Sequence, residues 1–144
     1  MNLLIVDDEY LVVEEVVTVT DWELLGITEI YSATNAVSAV RILNEKKIDI
    51  MICDIEMPQT DGLELSKKAK ENFPDLEIVM LTSHAEFNYV RNALRYGCYD
   101  YLLKPVMEDD IIKVMKNLVT KIERERHQAQ LQEEGIVWNQ LKPV

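Results

Sequence analysis

Hydrophobic and polar positions alternate along this chain in blocks that predict strand, helix, strand, helix. Leu3-Leu4-Ile5-Val6 is a short continuous apolar run, the pattern of a strand buried on both faces. Asp7-Asp8-Glu9 follow, residues suited to a strand end and a helix N-terminus. Leu11, Val12, Val16, Val17 and Val19 then fall mainly at helical spacing, although so many β-branched residues weaken a helix. Glu29 to Thr34 reads as a second strand. Asn35 is placed to cap a helix that uses Val37, Val40 and Leu43 on one face. Ile48 to Cys53 is a third strand, ending at Asp54. Met57-Pro58-Gln59-Thr60-Asp61-Gly62 is loop chemistry, and a helix follows to about Phe73, stopped by Pro74. Glu77 to Leu81 is a fourth strand, ending at Thr82-Ser83. A helix from Glu86 to Tyr96 has Gly97 placed to end it. Tyr99 to Leu103 is a fifth strand, ending at Lys104-Pro105, and a long helix begins near Glu108. Five strands alternating with five helices predict an α/β fold, a doubly wound five-stranded parallel sheet with helices on both faces.

The last helix is expected to extend beyond that fold. Ile111, Met115, Leu118 and Ile122 keep the 4-3-4 spacing of a buried seam. The seam would continue at Glu125 and Ala129, so it fades, and residues 123–134 are almost wholly polar. The expected organisation is one domain over residues 1–122. Residues 123–144 are then a linker helix or tail toward an output domain that these residues do not contain. A coiled-coil dimer is poorly supported, because too few heptads are apolar.

Composition narrows the setting. The net charge is -11, nearly all of it within residues 1–107. Such an acidic surface is unsuited to gripping a phosphate backbone, which needs clustered Lys and Arg. No apolar run approaches the ~20 residues that span a bilayer. Met1-Asn2 enters the first strand with no basic flank or cleavage site, so a cytoplasmic protein with no membrane partner is expected. Cys53 and Cys98 stand apart among apolar residues, outside any CxxC pattern, and are expected to be buried free thiols.

The chemistry gathers at the strand ends, because ligands of open parallel sheets bind at the carboxyl edge. The first strand delivers Asp7 and Asp8, the third Asp54, the fourth Thr82 and the fifth Lys104. Singly, each has an ordinary explanation: a helix cap, a strand-end acid, a satisfied turn hydroxyl, a solvated lysine. Jointly they form three carboxylates, a hydroxyl and an ammonium on one edge. Three clustered carboxylates repel one another, and a divalent cation relieves that. Mg²⁺ suits an all-oxygen set, with Asp8 and Asp54 as direct ligands, Asp7 direct or through water, and the backbone carbonyl of Glu56 completing the protein ligands. A phosphoryl group fits the remainder: its oxygens would meet Mg²⁺, Lys104 and Thr82, with Asp54 as in-line nucleophile.

The motifs Leu3-Leu4-Ile5-Val6-Asp7-Asp8-Glu9, Ile52-Cys53-Asp54-Ile55-Glu56-Met57-Pro58 with Asp61-Gly62, Met80-Leu81-Thr82-Ser83 and Tyr99-Asp100-Tyr101-Leu102-Leu103-Lys104-Pro105 together resemble the receiver domain of two-component response regulators. They stand in the right order over residues 3 to about 122. The resemblance implies the flavodoxin-like strand order 2-1-3-4-5 and a cis Lys104-Pro105 peptide. It implies Asp54 as phosphoacceptor, a sensor histidine kinase as partner, and Thr82 and Tyr101 as switch residues. Asp21-Trp22-Glu23-Leu24-Leu25-Gly26-Ile27 and Glu86 to Leu94 look most like receivers of AraC-type (YesN-like) transcriptional regulators. DNA would then be met only through an output domain outside these residues.

On this reading Tyr101 turns inward as the Thr82 loop moves. The face around the 86–96 helix, the fifth strand and the last helix is remodelled, and a phosphorylation-dependent homodimer follows. Phe87, Tyr89, Tyr96 and Tyr99 are assigned to that face. Asn35-Ala36 departs from the Asn-Gly frequent in relatives. Glu56 and His84 flank the site, where they would touch the water that hydrolyses an acyl phosphate. Three other readings compete. A haloacid dehalogenase-type phosphatase shares the aspartyl nucleophile and Mg²⁺, but its nucleophile follows the first sheet strand. A pseudo-receiver docks partners without phosphorylation. A flavodoxin-like flavin protein needs a Ser/Thr/Gly loop after Val6, where acids stand instead.

Overall fold

A computed structural model describes the backbone of residues 1–58, 60–83 and 87–141, and their side chains apart from those of residues 60, 87–90 and 136–141. His84 and Glu86 lie outside the described residues, as do the side chains of Phe87 and Tyr89. The central sheet is built from β1 (Asn2–Val6), β2 (Glu29–Ala33), β3 (Ile50–Asp54), β6 (Glu77–Thr82) and β7 (Asp100–Leu103). Every pairing in it is parallel, in the order β2-β1-β3-β6-β7. Among the sheet's own strands this is the expected order 2-1-3-4-5.

Strand alternation divides the core into two layers. Leu3, Ile5, Ile50, Ile52, Val79, Leu81 and Leu102 point to one face. There they pack against Val13 and Val16 of α1 (Tyr10–Thr18) and against Ile111, Met115, Leu118 and Ile122 of α5 (Glu108–Leu141). Leu4, Val6, Met51, Cys53, Ile78 and Met80 point to the other face. Their partners are Ala39 and Leu43 of α2 (Ala36–Glu45), Leu63, Leu65 and Ala69 of α3 (Gly62–Asn72), and Ala93 of α4 (Phe87–Arg95). Each fully buried aliphatic side chain is worth about 1.5–3 kcal/mol, so these layers outweigh the surface ion pairs. Cys53 and Cys98 are free and buried, as expected.

Several local expectations hold. The Asn35 side chain accepts from Ser38 N–H at 2.8 Å and caps α2. Gly97 follows α4 at φ 88°, a left-handed conformation that a side chain would strain. The Lys104-Pro105 peptide is cis. Trp22 is buried below α1, and its Nε1–H donates to Val16 O at 3.1 Å and Val17 O at 3.2 Å. It thus satisfies carbonyls that the end of a helix leaves open.

Other expectations need correction. Val37 and Val40 of α2 are exposed, and the buried face is Ala39 and Leu43. Small Ala39 lets the helix lie close to the sheet, which turns the two valines outward. Leu11 of α1 is exposed and Val13 takes its place in the core. The segment after Asp54 is not all loop: β4 (Glu56–Met57) and β5 (Thr60–Asp61) pair antiparallel. Tyr96 lies against Lys67 of α3, with the ammonium 5.4 Å from the ring centre, and so belongs to the α3 side of α4 rather than the face toward α5. Tyr101 is half-buried against the α2–α4 layer.

Candidate functional site

The parallel register brings the ends of β1, β3, β6 and β7 to one edge. Asp7 follows β1, and its N–H is tied to Ala33 O at 3.1 Å. Its Oδ1 accepts Glu9 N–H at 2.9 Å, which bends the chain into α1. Asp54 closes β3, and its Oδ1 accepts Glu56 N–H at 3.2 Å. Thr82 closes β6, and its carbonyl accepts Lys104 N–H at 2.8 Å, so the backbone of the fifth strand end is locked to the fourth.

Carboxylate oxygens of Asp7, Asp8 and Asp54 lie within 4.8 Å of one another. Asp7 and Asp54 are buried, and Asp8 is more open. Lys104 Nζ reaches Asp7 Oδ2 at 2.7 Å and Asp54 Oδ1 at 3.4 Å. Among the described residues, Lys104 is thus paired with two of the three clustered carboxylates. Burial, and then the charge of Asp7, push Asp54 up to about 6 against the pull of Lys104 and of Glu56 N–H. Burial works against the Lys104 charge, but its hydrogen bond to Asp7 and the charge of Asp54 outweigh that and raise its pKa.

The donor set fits a hard divalent cation. All of it is oxygen, and it carries excess negative charge. Asp7 Oδ2 is fully buried, with the Lys104 ammonium 2.7 Å away. A cleft over the site is lined by Asp8, Glu9, Asp54, Glu56, Met57 and Pro58 on one side and Ser83 and Lys104 on the other.

The structure thus brings together Asp7, Asp8, Asp54 and Lys104 directly, with the Glu56 backbone beside Asp54. Thr82 is buried beneath the cleft, and Ser83 stands at its wall. Tyr101 is in register with Met80, two residues before Thr82.

Gly62 is the residue whose role the sequence did not reveal. A Cβ built there would lie 1.9 Å from the carbonyl oxygen of Asp54 and 2.9 Å from its carbonyl carbon. Its N–H donates to Ile55 O at 3.0 Å. Asp61 just before it caps α3, accepting Leu63 N–H at 2.9 Å. The start of α3 is therefore pressed against the backbone that carries Asp54. The only signal was the Asp61-Gly62 pair itself, which reads equally well as an ordinary turn.

Comparison with known proteins agrees with this geometry. The family model of the response regulator receiver domain matches residues 3–116. The transcriptional regulatory protein YesN of Bacillus subtilis is 34% identical over 124 residues, covering 86% of this chain and 34% of that protein. The response regulator SaeR of Staphylococcus aureus is 32% identical over 127 residues, covering 88% of this chain and 54% of that protein. The chain thus spans between a third and about half of these relatives. The receiver domain of AraT, a response regulator from Geobacillus stearothermophilus, superposes with a TM-score of 0.81 at 30% identity. That match covers 87% of this chain and 97% of the other.

Proposed function

Since the chain belongs to the response regulator receiver domain family, we propose that it is a phosphorylation-driven switch whose acceptor is Asp54. Receiver domains are signalling domains rather than turnover enzymes. The observation that carries the proposal is the position of Lys104, bridging Asp7 and Asp54 at the edge where the three carboxylates meet. A carboxylate oxygen of Asp54 attacks the phosphorus of a phosphodonor in line. The new bond is an acyl phosphate, and the bond to the donor's leaving atom breaks with its electron pair. A Mg²⁺ ion held by Asp7, Asp8, Asp54 and the Glu56 carbonyl would neutralise charge on the transferred group. Lys104 offers a point charge to another of its oxygens. The Thr82 hydroxyl serves a third when its loop moves inward.

The donor is a sensor histidine kinase, and the setting is the cytoplasm. Among the described residues no helix is long and apolar enough to cross a membrane. The added charge, about -1.5 to -2, biases the Thr82 loop and Tyr101 and so remodels the face formed by α4, β7 and α5. A homodimer forms through that face. Transcription is regulated through a DNA-binding domain in a longer parent protein, a reading supported by the name of YesN as a transcriptional regulatory protein.

Intact mass after incubation with acetyl phosphate and Mg²⁺ tests the chemistry. One phosphoryl adduct is expected on the native chain and none on Asp54→Ala. No adduct on the native chain, even with a cognate kinase, would leave the pseudo-receiver reading. Sedimentation with and without beryllofluoride tests the dimer, and an unchanged monomer would overturn it.

A further inference from the structure

The opposite edge of the sheet carries two carboxylates that phosphoryl chemistry does not use. Asp49 immediately precedes β3 and Glu77 opens β6, and both are 7% exposed. Glu77 N–H donates to Asp49 O at 3.1 Å, which places the two acids side by side. A buried charge is costly unless it is paired. Asp49 Oδ2 accepts Asn2 N–H at 2.7 Å, and Oδ1 meets the Arg126 guanidinium. Glu77 Oε1 meets Lys121 at 2.7 Å, and Lys121 also holds Glu125 at 3.2 Å. Lys70 is 4.0 Å from Glu77, but its ammonium donates to Leu76 O at 2.7 Å.

Both principal cations come from α5: Lys121 lies just before the polar stretch 123–134 and Arg126 lies within it. A groove of about 630 Å³ surrounds the acids. Leu43, Phe73 and Pro74 line it on the body, and Ile122, Arg126 and Ala129 on α5. At 100° per residue, 122, 125, 126 and 129 continue the stripe of Ile111, Met115 and Leu118. The seam does not end at Ile122. Its chemistry changes from apolar to ionic.

We infer that the acidic edge of the body beside this groove is the docking site for the linker segment of this same chain. Asp49 and Glu77 form an acidic socket that holds Lys121 and Arg126 and fastens α5 to the domain as far as Ala129. Independent movement of anything that follows then begins beyond residue 129 and not at 122. The helix leaves the domain in a direction set by the starts of β3 and β6, the strands whose other ends carry Asp54 and Thr82. The inference stands independently of phosphoryl transfer.

Hydrogen exchange by mass spectrometry on the full chain tests it, comparing wild type with Lys121→Ala/Arg126→Ala. Amides of residues 123–130 are expected to exchange about tenfold faster in the variant, with those of residues 111–118 unchanged. Sodium chloride at ~1 M should accelerate the wild type in the same segment, because it screens part-exposed pairs. Arg126→Lys should restore most of the protection. Should the double variant unfold, Arg126→Gln, at a half-exposed side chain, repeats the comparison. Exchange in residues 123–130 that is insensitive to these substitutions and to salt would overturn the docking site. Phosphorylation by acetyl phosphate should proceed in all variants, which separates failure of this inference from failure of the acceptor assignment.

Discussion

The two ends of the sheet are built from the same ingredients, buried carboxylates and lysine or arginine, yet they are balanced differently. At the carboxyl edge Lys104 pairs with Asp7 and Asp54, and Asp8 stands close to both of these acids. The pKa of Asp54 is raised there, chiefly by burial and then by Asp7. At the amino edge Asp49 and Glu77 each have a cation from α5. Burial raises the Asp49 pKa, but Asn2 N–H and Arg126 together outweigh it, and the value is lowered. Charge balance separates the roles. An under-compensated cluster suits the cation and phosphoryl group of the proposed chemistry, whereas a compensated pair suits a fastening.

Breaking the carboxyl edge should give the largest effect. Lys104→Ala removes the ammonium paired with Asp7 and Asp54, and the rate of adduct formation with acetyl phosphate should fall about 100-fold. A rate within threefold of wild type would show that the ammonium is not the counter-charge.

Gly62→Ala attacks the same edge through its backbone. With a Cβ 1.9 Å from the Asp54 carbonyl oxygen, the start of α3 must move. A loss of about 3 kcal/mol in urea unfolding is expected. Adduct formation should fall with it, even in the fraction that remains folded.

Breaking the amino edge should cost less. Asp49→Ala leaves Asn2 N–H and Arg126 without their acceptor, and about 2 kcal/mol of stability should be lost. Adduct formation on the folded fraction should be unaffected.

The smallest effect sharpens the contrast by sign. In metal-free buffer the folded pKa of Asp54, about 6, lies above the ordinary 3.8, so the folded state holds the proton more tightly. The stability from this group is present below pH 3.8 and lost as pH rises through 6. Asp54→Asn should therefore be more stable than wild type at pH 7–8, on the order of 1 kcal/mol, with the advantage gone by pH 4. Asp49 runs the other way. Its folded pKa is lowered, so its contribution is present above the ordinary value and lost as pH falls through the folded one. Asp49→Asn should be destabilising at neutral pH and nearly neutral in acid. Parallel pH profiles for the two variants would contradict the difference in charge balance.

Much of the fold was legible because the signals are local. Apolar runs such as Leu3 to Val6 and Ile50 to Cys53 mark strands buried on both faces. Each ends in a residue with chemistry, and a parallel sheet carries all such ends to one edge. The faces of α1 and α2 were harder. Val37 and Leu11 are apolar enough for either side, and the fit of Ala39 and Val13 against the sheet chose between them.

By itself, then, the sequence determined the sheet, its family and the set of groups at its carboxyl edge, because strand periodicity and strand-end residues are read within a few positions. Only the tertiary structure decided what those groups amount to. It set Lys104 between Asp7 and Asp54, pressed Gly62 against the backbone of Asp54, and joined Arg126 to Asp49 across 77 positions of chain. Charge balance and close contact depend on distances in space. A polar stretch such as 123–134 looks the same in sequence whether its charges face water or a buried acid.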